Sequence, residues 1–127
     1  MIVADASFLI ALAEPGDDHH STAARVRREV EGQVLLLHPL TLAECLVGPA
    51  RTGRLEQAEA AWRTATVVVD FDPASPARFA LRRAETGLRL PDVVVLDTAI
   101  VHRAGIATFD DRLAITARAE GITVLAG

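Results

Sequence analysis

Short runs of aliphatic and β-branched residues alternate along the chain with longer stretches in which apolar residues recur at helical spacing. The runs predict strands at Ile2–Asp5, Val34–His38, Thr66–Phe71, Ile106–Phe109 and Thr123–Leu125. The longer stretches predict helices near Phe8–Ala13, Asp18–Glu31, Leu40–Val47, Leu55–Arg63, Pro76–Glu85, Val93–Arg103 and Arg112–Ala119. Pro39, Gly48, Pro49, Gly53, Pro73, Gly87, Pro91, Gly105 and Gly121 are expected between elements, as chain breakers. Strands alternating with helices imply an α/β fold with a mainly parallel sheet of about five strands. No repeat, low-complexity tract or long linker interrupts the pattern, so residues 1–127 read as one domain.

Composition sharpens this picture in three places. Half the residues are apolar and mean hydropathy is +0.27, a surplus that a core of this size cannot absorb. An apolar patch covered by a partner or a second subunit is expected. Cys45 is the only cysteine, which excludes an internal disulfide and a thiolate zinc cage and fits a reducing, cytoplasmic location. The longest apolar stretch, Ala6–Ala13, is far too short to cross a bilayer, and no basic segment leads into the opening apolar run as a secretory signal requires.

All 13 basic residues are arginine. The absence of lysine excludes a P-loop, a Schiff-base nucleophile and a receiver-type phosphoacceptor. An aspartyl-nucleophile phosphatase needs Asp-x-Asp after the first strand, whereas this chain has Asp5 and Ser7. Net charge is −4, against a general nucleic-acid coat protein.

The acids are where the chemistry gathers. Asp5 ends the first strand and Asp110 the fourth; either could simply cap the helix that follows. Glu44 stands among Leu42, Ala43, Cys45 and Leu46, which predicts partial burial at a cost unless a counter-charge is near. Asp92 follows Pro91 at a helix start, where an N-cap is the ordinary alternative. In a parallel sheet, ligands bind outside the carboxyl ends of the strands. If strands one and four are neighbours, Asp5, Glu44, Asp92 and Asp110 converge there. Four carboxylates so close repel one another unless divalent cations intervene, and an all-oxygen donor set favours Mg²⁺ or Mn²⁺.

Together "IVADASFLIALA", "LTLAECLVG", "GLRLPDVVVLDTAI" and "ATFDDRL", in this order and spacing, resemble a PIN-domain ribonuclease of the VapC type, the toxin of a type II toxin–antitoxin pair. The resemblance implies a three-layer α/β/α sandwich and a metal-dependent endoribonuclease. It assigns catalysis and metal binding to Asp5, Glu44, Asp92 and Asp110, with the Ser7 hydroxyl beside the first acid. Asp97 departs from the pattern: many relatives carry a small apolar residue there. It lies about 140° around the helix from Asp92 on a 3.6-residue turn, so it either stands behind the acids or is incidental. Metal-activated water would cut the RNA, leaving a 5′-phosphate and a 3′-hydroxyl. A cognate antitoxin, a homodimer and structured RNA such as tRNA are the implied partners. The alternatives are a PIN-fold binding module without nuclease activity and an RNA-processing nuclease that is not a toxin.

Among the remaining residues, Arg82, Arg83, Arg89 and Arg112 lie nearest the acids in sequence and are candidates for RNA backbone contact. Only 4% of residues are aromatic, so base stacking contributes little. Adjacent His19 and His20 lack metal-binding helical spacing and are expected to open a helix. His38, His102 and Cys45 read as structural. Trp62 fits either the core or a subunit contact.

Overall fold

A computed structural model describes residues 1–126. Five strands, β1 (Ile2–Ala4), β2 (Leu35–Leu37), β3 (Val67–Val68), β4 (Gly105–Ala107) and β5 (Val124–Leu125), form one sheet in the order β3-β2-β1-β4-β5. Every pairing is parallel. Seven helices connect and flank them among the described residues: α1 (Ala6–Ala13), α2 (His20–Glu29), α3 (Pro39–Arg51), α4 (Leu55–Ala65), α5 (Ser75–Thr86), α6 (Leu90–His102) and α7 (Asp111–Ala119). The expected α/β fold is present.

Two cores explain the layering. Successive strand side chains point to opposite faces, so each short strand feeds both. Ile2, Ala4, Leu35, Leu37 and Ala107 pack with Phe8, Leu9, Val26 and Leu42 under α1, α2 and α3. Val3, Leu36 and Ile106 pack with Phe79, Leu88, Val93, Leu96 and Leu113 under α5, α6 and α7. The result is a three-layer sandwich.

Several breakers sit inside elements. Pro39 and Pro91 occupy the first turns of α3 and α6, where a missing N–H leaves no helical bond unmade. The helix α3 also runs on through Gly48 and Pro49 to Arg51. A residue before proline is normally pushed out of helical geometry by its Cβ; Gly48 has none, which lets the helix continue. Gly105 opens β4, where a Cβ would lie 3.1 Å from the Thr123 carbonyl and 3.2 Å from the end of Ile2. Its absence lets three strands close up. The strand expected over Thr66–Phe71 shortens to two residues, since an edge strand has only β2 to bond.

The buried helix α6 carries an unbroken buried run from Asp92 to Ala99. Asp97 lies within it and receives two arginines from α5. Arg78 donates from Nε and Nη2 at 3.1 Å each, and Arg82 from Nε at 2.8 Å. Burial opposes the Asp97 charge, and the two guanidiniums more than offset it, holding the carboxyl below its usual range. This ion group pins α5 to α6.

Replacing Asp97 with alanine would leave two guanidiniums without their buried partner. Because both arginines retain some solvent, we expect a loss of about 2–3 kcal/mol, at or below the low end for buried pairs, read from urea unfolding midpoints.

Candidate functional site

The strand order reverses direction between β1 and β4, and that is where Asp5 and Asp110 follow the strand ends. Residues Ile2, Val3 and Ala4 pair with Gly105, Ile106 and Ala107, and the Asp5 amide continues the ladder to the Ala107 carbonyl at 3.1 Å. Asp5 and Thr108 therefore leave the sheet side by side. Asp5 then caps α1: its Oδ1 accepts from the Phe8 amide at 2.9 Å and from the Ser7 hydroxyl at 2.7 Å. Asp110 caps α7, accepting from the Leu113 amide at 2.8 Å. The capping alternative is thus realised for both.

A hydroxyl lattice ties the two caps together. Thr108 donates from Oγ1 to Asp5 Oδ2 and accepts from the Asp110 amide at 2.9 Å. Ser7 Oγ accepts from the Phe109 amide at 3.0 Å. Thr108 is wholly buried and joins two of the acids, yet sequence reasoning passed over it. A threonine two positions before a capping aspartate looks like an ordinary turn residue. Nothing in the sequence marks its hydroxyl as shared with a residue 103 positions away.

Asp92 stands buried on the first turn of α6, 3.5 Å from Arg89 Nε. Glu44 rises from α3; contrary to the expectation of partial burial, the residue as a whole is exposed. Asp5, Glu44 and Asp92 nevertheless each feel the charge of other acids. Burial raises the Asp5 pKa above 3.8 against the hydroxyls and amide that favour its charge, and Asp110 adds repulsion. Burial and the Asp110 charge raise Asp92, with Arg89 opposing and Asp5 reinforcing. Desolvation of the Glu44 carboxyl, then the charges of Asp92 and Asp5, raise Glu44.

These oxygens are near enough to disturb one another's ionisation without being drawn into a ready-made coordination group among the described residues. The donor chemistry still suits a hard divalent cation. It is all oxygen, partly desolvated and repulsive when fully ionised. A carboxylate offers about four acceptor sites, so Asp5 retains one beyond its three hydrogen bonds and Asp110 has one whole oxygen to spare. Asp5, Glu44, Asp92 and Asp110 are the residues that would hold such an ion.

The other expected residues divide sharply. Asp97 does not stand behind these acids; it is consumed by Arg78 and Arg82. Arg82 is therefore committed within the fold. Arg83 donates to the Gly87 and Leu88 carbonyls, and Arg112 to the Gly87 carbonyl. His19 stacks on Phe109 with ring centroids 4.3 Å apart, and His20 Nδ1 contacts the Ala11 carbonyl at 2.8 Å, so both join α2 to the body. His38 caps α3 through Nδ1 at 3.0 Å from the Leu40 amide, and His102 Nδ1 contacts the Thr98 carbonyl. Burial lifts the Cys45 thiol to about 12, which makes it inert. Beside the acids, an apolar groove of about 570 Å³ runs between α1, α3 and α4, with Ile10, Cys45, Ala61 and Trp62 along it and Glu44 at its margin.

With fold and site in view, the comparisons are informative. The family model described as PIN domain matches residues 2–119, so the chain belongs to the PIN domain family. A toxin–antitoxin complex from Klebsiella pneumoniae has the same fold, with TM-score 0.73 and 23% identity over 87% of either chain. VapC20 from Mycobacterium tuberculosis, a toxin that cleaves the sarcin-ricin loop, aligns with TM-score 0.75 and 20% identity over 91% of this chain and 95% of its own. FitAcB from Neisseria gonorrhoeae aligns with TM-score 0.69 and 19% identity over 98% and 96%. Comparison with curated protein sequences returned no match.

The raised Asp92 pKa gives a signed expectation. A carboxyl whose folded pKa lies above its unfolded value stabilises the fold only while protonated, and that stability is lost as pH rises through the folded pKa. In chelator, Asp92→Asn should therefore melt above the native chain at neutral pH. The gap should close in acid as native Asp92 takes up its proton. Differential scanning fluorimetry across that range measures it, and His38, which titrates in both proteins, cancels in the difference.

Proposed function

We propose that this PIN domain is a divalent-metal-dependent endoribonuclease acting as the toxin of a toxin–antitoxin pair. One observation carries the reading. Carboxylates from four separate helix regions meet where strand order reverses, and burial with mutual repulsion raises the pKa of three of them. Burial and repulsion of this kind cost the fold stability that a bound cation would offset.

In this reading Asp5, Glu44, Asp92 and Asp110 hold Mg²⁺ or Mn²⁺. The ion, when bound, supplies Lewis-acid activation of water and of the scissile phosphate. The chain's own part is positional. Ser7 and Thr108 fix the Asp5 carboxylate through both oxygens, and Thr108 fixes the turn that presents Asp110. Arg89 steadies Asp92. No histidine, serine or cysteine nucleophile is needed, consistent with the inert Cys45. The products expected are a 5′-phosphate and a 3′-hydroxyl.

The apolar groove suits the helix of an antitoxin. Its walls are mostly apolar, and Glu14 and Glu44, against the single Arg54, favour an occupant whose end is basic. Exposed Leu81, Val101 and Ile115 supply apolar surface for a homodimer contact elsewhere.

Purified protein should cleave structured RNA with Mg²⁺ or Mn²⁺, and chelator should abolish cleavage. Asp5→Asn and Asp92→Asn should each reduce the rate by at least about a hundredfold, as expected for groups stabilising transition-state charge. Undiminished cleavage by Asp92→Asn, in a preparation shown to be free of other nucleases, would overturn the mechanism.

For the partners, Ala61→Arg should obstruct the groove and abolish capture of the cognate antitoxin in titration calorimetry while RNA cleavage persists. Sedimentation equilibrium of the native chain should give a dimer. Unchanged antitoxin affinity, or a strict monomer, would refute the corresponding claim.

A further inference from the structure

The helix α5 ends at Gly87, whose left-handed backbone (φ 71°) turns the chain toward α6. Arg83, on the last turn of α5, reaches past that end and donates to the Gly87 carbonyl at 3.2 Å and the Leu88 carbonyl at 2.6 Å. From the first turn of α7, Arg112 donates to the same Gly87 oxygen at 3.4 Å. One neutral carbonyl thus gathers two guanidiniums from two helices. Among the described residues, no carboxylate lies within 4.0 Å of either. Arg25, Arg63 and Arg82, by contrast, each have one, and Arg78 has two.

Two like charges held beside each other on a neutral dipole repel, and the shared oxygen offsets only part of that. Both guanidiniums are exposed, so their remaining donors are open to an anion. Arg89, two residues after Gly87, extends the positive field; its side chain is 71% exposed and only loosely paired with Asp92. This turn borders the acids directly. It leads through Arg89 into the α6 turn bearing Asp92, and Arg112 follows Asp110 by two residues.

From this placement we infer that Arg83 and Arg112, with Arg89 beside them, form a cradle for a backbone phosphate of the RNA next to the one being cut. The inference rests on the nuclease reading and adds the residues that hold the substrate. Guanidinium forks suit phosphate oxygens, and a polyanion drawn to a cluster of carboxylates needs positive charge alongside it. The cradle reads backbone, not bases. Arg82, committed to Asp97, is excluded from it.

The test measures binding apart from cleavage. A short, unstructured, fluorescein-labelled oligoribonucleotide is titrated with the full chain in chelator, at several salt concentrations. Arg112→Gln and Arg83→Gln should each weaken binding similarly for different base sequences. Each should lower the slope of log affinity against log salt by about 0.7–1, the value for one arginine–phosphate pairing. In cleavage assays both should raise KM more than they lower kcat, and Arg112→Lys should recover part of the affinity. Arg28→Gln, at an exposed position of α2, should change neither quantity.

Arg83 also ties α5 to the turn that follows it, so Arg83→Gln is paired with a melting curve. Arg112, whose one bond is long and at the surface, should melt as the native chain does when replaced by glutamine. An unchanged slope and KM in Arg112→Gln, or no binding of the oligoribonucleotide by the native chain in chelator, overturns the cradle. A native chain that binds through these arginines but cuts no RNA with any divalent metal overturns the nuclease reading instead.

Discussion

The molecule is organised around an electrostatic cost: carboxylates held close together, partly out of water, with no basic residue sufficient to neutralise them. The scaffold resists their separation by giving two of them second duties. Asp5 and Asp110 cap α1 and α7, and such caps contribute about 1 kcal/mol each. Both stand at helix N-termini, where the aligned peptide dipoles favour negative charge. Ser7 and Thr108 then lock the caps to one another across β1 and β4. Capping and ion binding use different lone pairs, so one role does not displace the other.

The helix α6 shows two opposite treatments of the same side chain. Asp97 is buried with two arginines and its pKa is lowered; its charge is answered permanently within the fold. Asp92, five residues earlier, is buried against other acids and its pKa is raised. An aspartate of the first kind holds helices together. One of the second kind keeps a demand open for something arriving from outside. The arginines divide likewise: Arg78 and Arg82 are satisfied by carboxylates, while Arg83 and Arg112 rest on a carbonyl.

Much of this was legible in the chain. Strand and helix periodicities located the elements within a few residues, because each strand alternates between two cores. The meeting of Asp5 with Asp110 could be anticipated only conditionally, since it needed β1 beside β4, a pairing that periodicity does not encode. Local rules misplaced Gly48, Pro49 and Gly105, where a missing Cβ served helix continuity or strand packing instead of a break. Arg82 was grouped with the site by proximity in sequence, and Asp97 was left either behind the acids or incidental. Their mutual ion pair spans two helices and leaves no mark in either segment alone. Thr108 was missed for the same reason.

The pairing of β1 with β4 also orders events in time. Asp5 is made before Thr108 and Asp110, which complete its surroundings and come more than a hundred positions later. A polypeptide still emerging from the ribosome can fold α1 and α2 early, since those contacts are local. It cannot assemble the acidic centre until the segment carrying Thr108 and Asp110 has been released. Topology alone therefore delays the finished centre until β4 and the turn after it have left the ribosome.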